Sequence, residues 1–305
     1  MAFCEDLPDA QLVEIRAGRT VAVYQEVHED ASAPLVFFIH GAGARSGQFR
    51  DLFPVFRSSY SLLSFDWVGH GQSEKPLQGA SFYSAKEMLA DVIAIFQRYS
   101  QGQEPTSALF VGHSYGTSLA TQAYELLKED VKAMVLIGTC MNVPASARHP
   151  IWYLPDSLLE WIRPLMRGPF CSKAYHPCTL RDKVELMDYE RTFSDKNAMH
   201  VMKHLAWGME WPTTEQYEAI QCPCLLIGGE SDQLTPVEEM EALHQSIEGS
   251  EISIIPEAGH FPMMENTVAT LRVIQDFLVS HGFPCGPLQG LTRSNENQSI
   301  SEDAF

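Results

Sequence analysis

The sequence predicts an α/β fold, a mostly parallel sheet flanked by helices with a helical lid inserted after the sixth strand. Three observations carry that expectation. Apolar runs of strand length, APLVFFIHG, YSLLSFDW, SALFVGHS and VKAMVLIGT, alternate with helical patterns, as strands covered on both faces require. The alternation stops after Gly138 and resumes only at PCLLIGG. The chain also has 305 residues, 45% of them hydrophobic, enough for one large core with an inserted subdomain.

Taken in order, APLVFFIHG and YSLLSFDW are strands, and Ser84 with Glu87 forms a capping box that opens a helix. Met88, Leu89, Val92, Ile93, Phe96 and Tyr99 hold the helical spacing, so this helix is a crossover between strands. SALFVGHS is the next strand, followed by a helix with Leu119, Ala120, Ala123, Leu126 and Leu127 on one face, and then by VKAMVLIGT. From Met141 to Thr214 no strand-like run occurs, although the tract holds Trp152, Trp161, Trp207 and Trp211, four of the five tryptophans. PCLLIGG, a helix from Pro236, EISIIPEAGH and a helix from Thr267 to about Ser280 close the pattern. The expected organisation is a core over 1–140 and 215–283, a lid over 141–214, and a polar tail over 284–305 with too few large apolar groups to order itself.

Composition excludes several classes of function. A net charge of −18 repels phosphate backbones and anionic lipid surfaces, which argues against a nucleic-acid partner. The opening MAFCEDLPDAQLVEIRAG turns acidic at Glu5 and no apolar run has the length of a membrane span, so a cytoplasmic location is expected. Seven cysteines without a C-x-x-C pair suit reduced thiols. Cys171, His176 and Cys178 match none of the usual zinc spacings, so neither a metal nor another cofactor is expected.

The chemistry is concentrated at FVGHSYG, residues 110–116. Gly-x-Ser-x-Gly between a strand and a helix is the setting of a nucleophile elbow, in which Gly112 and Gly116 leave room for a sharp turn. Ser114 then stands at a helix N-terminus, where backbone N–H groups favour developing negative charge. A weak nucleophile of this kind needs a base and an orienting acid. His260 lies in a loop at a strand's carboxyl end, whereas His244 sits in a helical pattern and His281 ends a helix. Asp232 falls in the loop after CPCLLIGG, just before a capping box formed by Thr235 and Glu238 around Pro236; Glu230 is the alternative acid, and Glu257 is too near His260 in the chain. The glycine-rich IHGAG after the strand PLVFF can turn a second N–H toward the serine, so Ala42 and Tyr115 are the expected oxyanion donors.

HGAG, FDWVGHGQS, GHSYG, GGESDQLTP and PEAGH, in this order over residues 34–280, resemble the α/β-hydrolase family. The segments DVIAIFQRYS, VGHSYGTS and TPVEEME are similar to one animal branch of it. The resemblance implies Ser114, Asp232 and His260 as a triad, Ala42 and Tyr115 as backbone donors, and Asp66 as a residue that shapes a loop.

The expected activity is hydrolysis of a carboxylic ester or thioester with an apolar acyl group, through an acyl-enzyme. Carbon–carbon or amide cleavage by the same triad is a second reading, since the fold does not choose the substrate. A non-catalytic ligand-binding or scaffold protein is a third, with the C-terminal SEDAF as a possible hook for a protein partner. Six of the twelve methionines fall in the insertion with the tryptophans, an adaptable apolar surface on which Trp152, Trp161 and, from the base loop, Phe261 are the expected substrate contacts.

Overall fold

A computed structural model describes residues 7–100 and 107–286. The described residues open with two strands that the sequence reading counted without placing, β1 (Gln11–Arg16) and β2 (Arg19–Glu26), joined by a two-residue turn with Gly18 at φ 71°. The sequence hides β1 because it is the sheet edge and every residue of QLVEIR retains solvent contact, so no apolar alternation is imposed on it. The cue was the turn: a glycine between two β-rich stretches, at a φ that glycine adopts without steric cost.

The expected core strands then follow: β3 (Leu35–Ile39), β4 (Ser61–Asp66), β5 (Ala108–His113) and β6 (Val131–Ile137), with the short α1 (Phe53–Arg57), the crossover α2 (Ala85–Ser100) and α3 (Tyr115–Leu127) between them. After β6 come five helices, α4 (Asp156–Ala174), α5 (Pro177–Asp182), α6 (Val184–Ser194), α7 (Met199–Gly208) and α8 (Thr214–Glu218). β7 (Cys224–Gly229), α9 (Val237–Ser246), β8 (Glu251–Ile255), α10 (Pro262–Glu265) and α11 (Thr267–Ser280) complete the chain. The strand order is β1-β2-β4-β3-β5-β6-β7-β8, antiparallel across β1, β2 and β4 and parallel from β4 to β8.

β3, β4, β5 and β7 are buried along their whole length, which their unbroken apolar runs require of strands covered on both faces. Two apolar clusters form, one on each face: Phe37, Phe65 and Phe110 belong to one, and Phe38, Val111 and Ile227 to the other. The edge hairpin is anchored by a charge. Arg19 Nε donates to Asp91 Oδ1 at 2.7 Å from β2 to α2, with both side chains buried. Arg16 takes the Glu87 carboxylate at 2.7 Å, so Glu87 faces β1 and not the start of its own helix. Of the tail expected from residue 284, residues 287–305 lie outside the described residues, while Phe283 and Cys285 pack on the second cluster. No helix among the described residues is long and apolar enough to cross a membrane.

Candidate active site

Parallel strands deliver their carboxyl ends to one edge of the sheet, and the functional loops follow from that. β3 runs into IHGAG, β5 into Ser114, β7 into Asp232 and β8 into His260. Ser114 adopts φ 52° and ψ −125°, a backbone region that L-residues rarely occupy. The turn is held by what surrounds it. Ser114 N–H donates to Ile137 O at 2.8 Å, and a Cβ on Gly116 would stand 2.1 Å from Ile39 O, so only glycine lets α3 start this close to β3.

His260 and Asp232 form a buried pair, with Nδ1 to Oδ2 at 2.7 Å. The Asp232 carboxylate is fully used: Oδ1 accepts from Leu234 N–H at 2.8 Å and Thr235 N–H at 3.0 Å, and Oδ2 also accepts from Thr235 Oγ1 at 2.6 Å. Burial alone would push this carboxyl up, but His260 and the Thr235 donors outweigh it, and the group sits below its ordinary range. It is therefore ionised at neutral pH. This overturns the expected role of Thr235 as a helix cap: α9 starts after Pro236 with no side-chain cap, and the hydroxyl serves Asp232 instead. Glu230, the alternative acid, accepts from Glu257 N–H at 3.0 Å and faces His176 at 3.5 Å.

Two further histidines, absent from the sequence reading of the site, frame it. His113, one residue before Ser114, donates from Nε2 to His260 O at 2.8 Å, and its ring lies 4.9 Å from that of His260. His40 accepts the Trp67 N–H at Nε2 at 3.0 Å and donates from Nδ1 to Gly41 O at 2.8 Å, which fixes one neutral tautomer beside the glycine-rich loop. Burial pushes both down to about 3. Asp66 holds the same loop from below, accepting from Ser46 N–H at 2.7 Å, Gln72 N–H at 2.8 Å and Tyr24 O–H at 2.9 Å. His–x–x–Gly placements at strand ends, His40 to Gly43 and His113 to Gly116, were the available signal, but no sequence rule separates a structural histidine from a surface one.

A cavity of about 560 Å³ opens over this edge and is lined by Ala42, Ser114, Tyr115, Trp152, His260 and Phe261. The Tyr115 N–H belongs to the first turn of α3, where backbone donors have no partner within the helix. Five methionines of the insertion line the cavity, Met166, Met187, Met199, Met202 and Met209, as does Trp211, whose Nε1 donates to Cys140 O at 3.0 Å. Charged pairs occupy the rim: Arg167 with Asp195, and Asp188 with Arg191 at 3.3 Å, all substantially exposed. Trp161 is a correction. It is 74% exposed and absent from the lining, because it sits on the far side of α4 from the residues that reach the cavity. His176 Nδ1 and Cys178 Sγ lie 2.7 Å apart, and among the described residues no three His, Cys, Asp or Glu side chains gather as a metal would require.

Comparisons agree with this architecture. Protein ABHD8 of Homo sapiens is 26% identical over 249 residues, covering 80% of this chain and 55% of that protein, so the chain spans about half the length of this relative. Uncharacterized hydrolase YugF of Bacillus subtilis is 25% identical over 269 residues, covering 85% of this chain and 94% of that protein. Among solved structures, a thermophilic esterase from Thermogutta terrifontis superposes with a TM-score of 0.74 at 19% identity, covering 89% and 98% of the two chains, which shows a shared fold. The family model described as alpha/beta hydrolase fold matches residues 34–267, well over half of the chain and inclusive of both the elbow and His260, and the protein therefore belongs to that family.

Proposed function

We propose that the protein is a serine hydrolase that cleaves a carboxylic ester or thioester with an apolar acyl group. The observation that carries this reading is the buried His260–Asp232 pair at 2.7 Å, opening on the same cavity as a serine held at φ 52°. His260 Nε2 takes the Ser114 proton as Oγ attacks the carbonyl, and Asp232 holds the imidazole with Nδ1 protonated. The oxyanion is met by the Ala42 and Tyr115 N–H groups, and His260 then returns the proton to the leaving group. Water, activated by the same imidazole, releases the acid.

The methionine and tryptophan lining supports an apolar acyl chain, because methionine repacks around irregular shapes and each buried methylene contributes roughly 0.8 kcal/mol. A small molecule of this kind is the partner, bound without a cofactor. The test is a fluorophosphonate probe followed by acyl esters of increasing length. Labelling confined to Ser114, with efficiency rising from acetyl to longer chains, is the expected result. Labelling with no preference among chain lengths removes the apolar-acyl part, and absence of both labelling and turnover replaces the enzyme with a binding protein on a hydrolase fold.

A further inference from the structure

We infer that Glu265 is a positioning residue that ties the His260 loop to the helical insertion, so that the placement of the base depends on both. The inference rests on the proposed role of His260. Glu265 is buried at 3% exposure in the short α10, five residues after His260. Its carboxylate is directed entirely at backbone donors. Oε1 accepts from Gly259 N–H at 3.0 Å and from Phe261 N–H at 3.2 Å, the two residues flanking His260. Oε2 accepts at 2.7 Å from His176 N–H, at the junction between α4 and α5.

The same junction touches both triad loops. His260 N–H donates to Ala174 O at 2.6 Å, and Gln233 N–H, beside Asp232, donates to Lys173 O at 3.1 Å. A Cβ on Gly259 would lie 2.5 Å from Ala174 O, so the base loop and the insertion meet backbone to backbone with no side chain between them. Three peptide groups in a row, 259 to 261, are thus held by two acceptors, Glu265 for the flanking N–H groups and Ala174 for that of His260 itself. A buried carboxylate that accepts three N–H bonds is costly to remove, because each donor would be left without a partner, and that cost is what fixes the loop. A displacement of His260 by about 1 Å would be felt as a loss on the order of 10² in rate.

Glu265→Leu, Glu265→Gln and the pair His176→Pro and His176→Ala separate positioning from packing. In Glu265→Leu, kcat and the rate of Ser114 labelling should fall by about 10²-fold with KM within about twofold, and the downfield proton resonance of the His260–Asp232 bond should broaden or vanish. Glu265→Gln keeps one carbonyl for Gly259 and Phe261 but turns an NH₂ group toward His176 N–H, so it should recover only part of the loss. His176 already has φ −64°, and Tyr175 before it lies at φ −116° and ψ 146°, so the backbone at 176 tolerates proline, which removes the N–H together with the imidazole that caps Cys178 N–H and sets a ring carbon against the Glu265 carboxylate. His176→Ala loses the side chain and keeps that donor. His176→Pro should therefore be slower than His176→Ala by about tenfold.

A folded Glu265→Leu with wild-type kcat and an unchanged resonance overturns the proposal, as does a loss confined to KM. Should Glu265→Leu fail to fold, equal rates in the two His176 variants overturn it. The resonance needs no substrate, so a wild type that neither labels nor turns over esters removes the hydrolase reading while the response of the His260–Asp232 bond to these variants still decides the role of Glu265.

Discussion

Ser114 combines a proposed chemical role with a backbone cost, and the two can be separated by substitution. At φ 52° and ψ −125° a residue with a Cβ is strained by about 1–3 kcal/mol, and glycine is not. Ser114→Ala and Ser114→Gly should both abolish fluorophosphonate labelling, yet the glycine variant should be the more stable by about 1 kcal/mol in urea unfolding. Equal stability would mean that the elbow is not strained. Asp232→Asn preserves the shape of the pair but permits the wrong imidazole tautomer, with an expected loss of about 10⁴ in kcat. Thr235→Val removes a 2.6 Å bond to the ionised Asp232 and should cost about tenfold in kcat, which steady-state kinetics on a short ester would read. The sequence made Ser114, His260 and Asp232 legible because each stands in a loop at a strand's carboxyl end. Thr235 was misread because T-P-x-E is written identically whether the hydroxyl serves a helix or a neighbouring carboxylate.

Between β6 and β7 the phase of each helix decides which residues reach the cavity. The position of the insertion there and its helical character follow from the missing strand runs. Which tryptophan faces inward follows from period: Arg163, Met166, Arg167 and Phe170 line the cavity at steps of three and four, whereas Trp161, two residues before Arg163, is turned roughly 200° away. Tryptophan content had been read without that phase. Trp152→Ala should therefore reduce turnover of long acyl esters more than short ones, while Trp161→Ala should leave the chain-length profile unchanged. Parallel losses in both variants would mean that the tryptophans hold the insertion together and do not bind acyl chains. At the other end of the sheet, Arg19→Met would leave the buried Asp91 carboxylate with Arg16 at 2.9 Å as its one remaining guanidinium, and a loss of about 1–3 kcal/mol in chemical denaturation is expected.

Stability of the whole molecule should depend on pH through histidines that the proposed reaction does not use. His40, His70 and His113 are completely buried, and burial lowers each to about 3 from the ordinary 6.5. The unfolded chain therefore binds protons that the folded chain refuses. Stability from this source is complete above pH 6.5 and is lost as pH falls from there toward 3, at up to about 4 kcal/mol per pH unit for three groups. His70→Phe should lower the slope by about one proton, or about 1.4 kcal/mol per pH unit, and an unchanged slope in urea titrations would show that His70 does not contribute.

None of this was visible in the sequence, because burial of a polar side chain depends on contacts far apart in the chain. The fold class was legible since it needs only the alternation of runs, while β1, exposed along the sheet edge, lacked the apolar signature that identifies a strand and β2 carried it in Val21–Tyr24. The connectivity also sets an order of events during synthesis. Ser114 emerges with β5, but Asp232 and His260 belong to loops after β7 and β8, more than a hundred residues later and beyond the whole insertion. A nascent chain can complete its elbow while still lacking any means of activating it. If Ser114, Asp232 and His260 act as the proposed triad, the growing polypeptide carries an inert hydroxyl until β7 and β8 dock, and reactivity arises only once translation has delivered the far edge of the sheet.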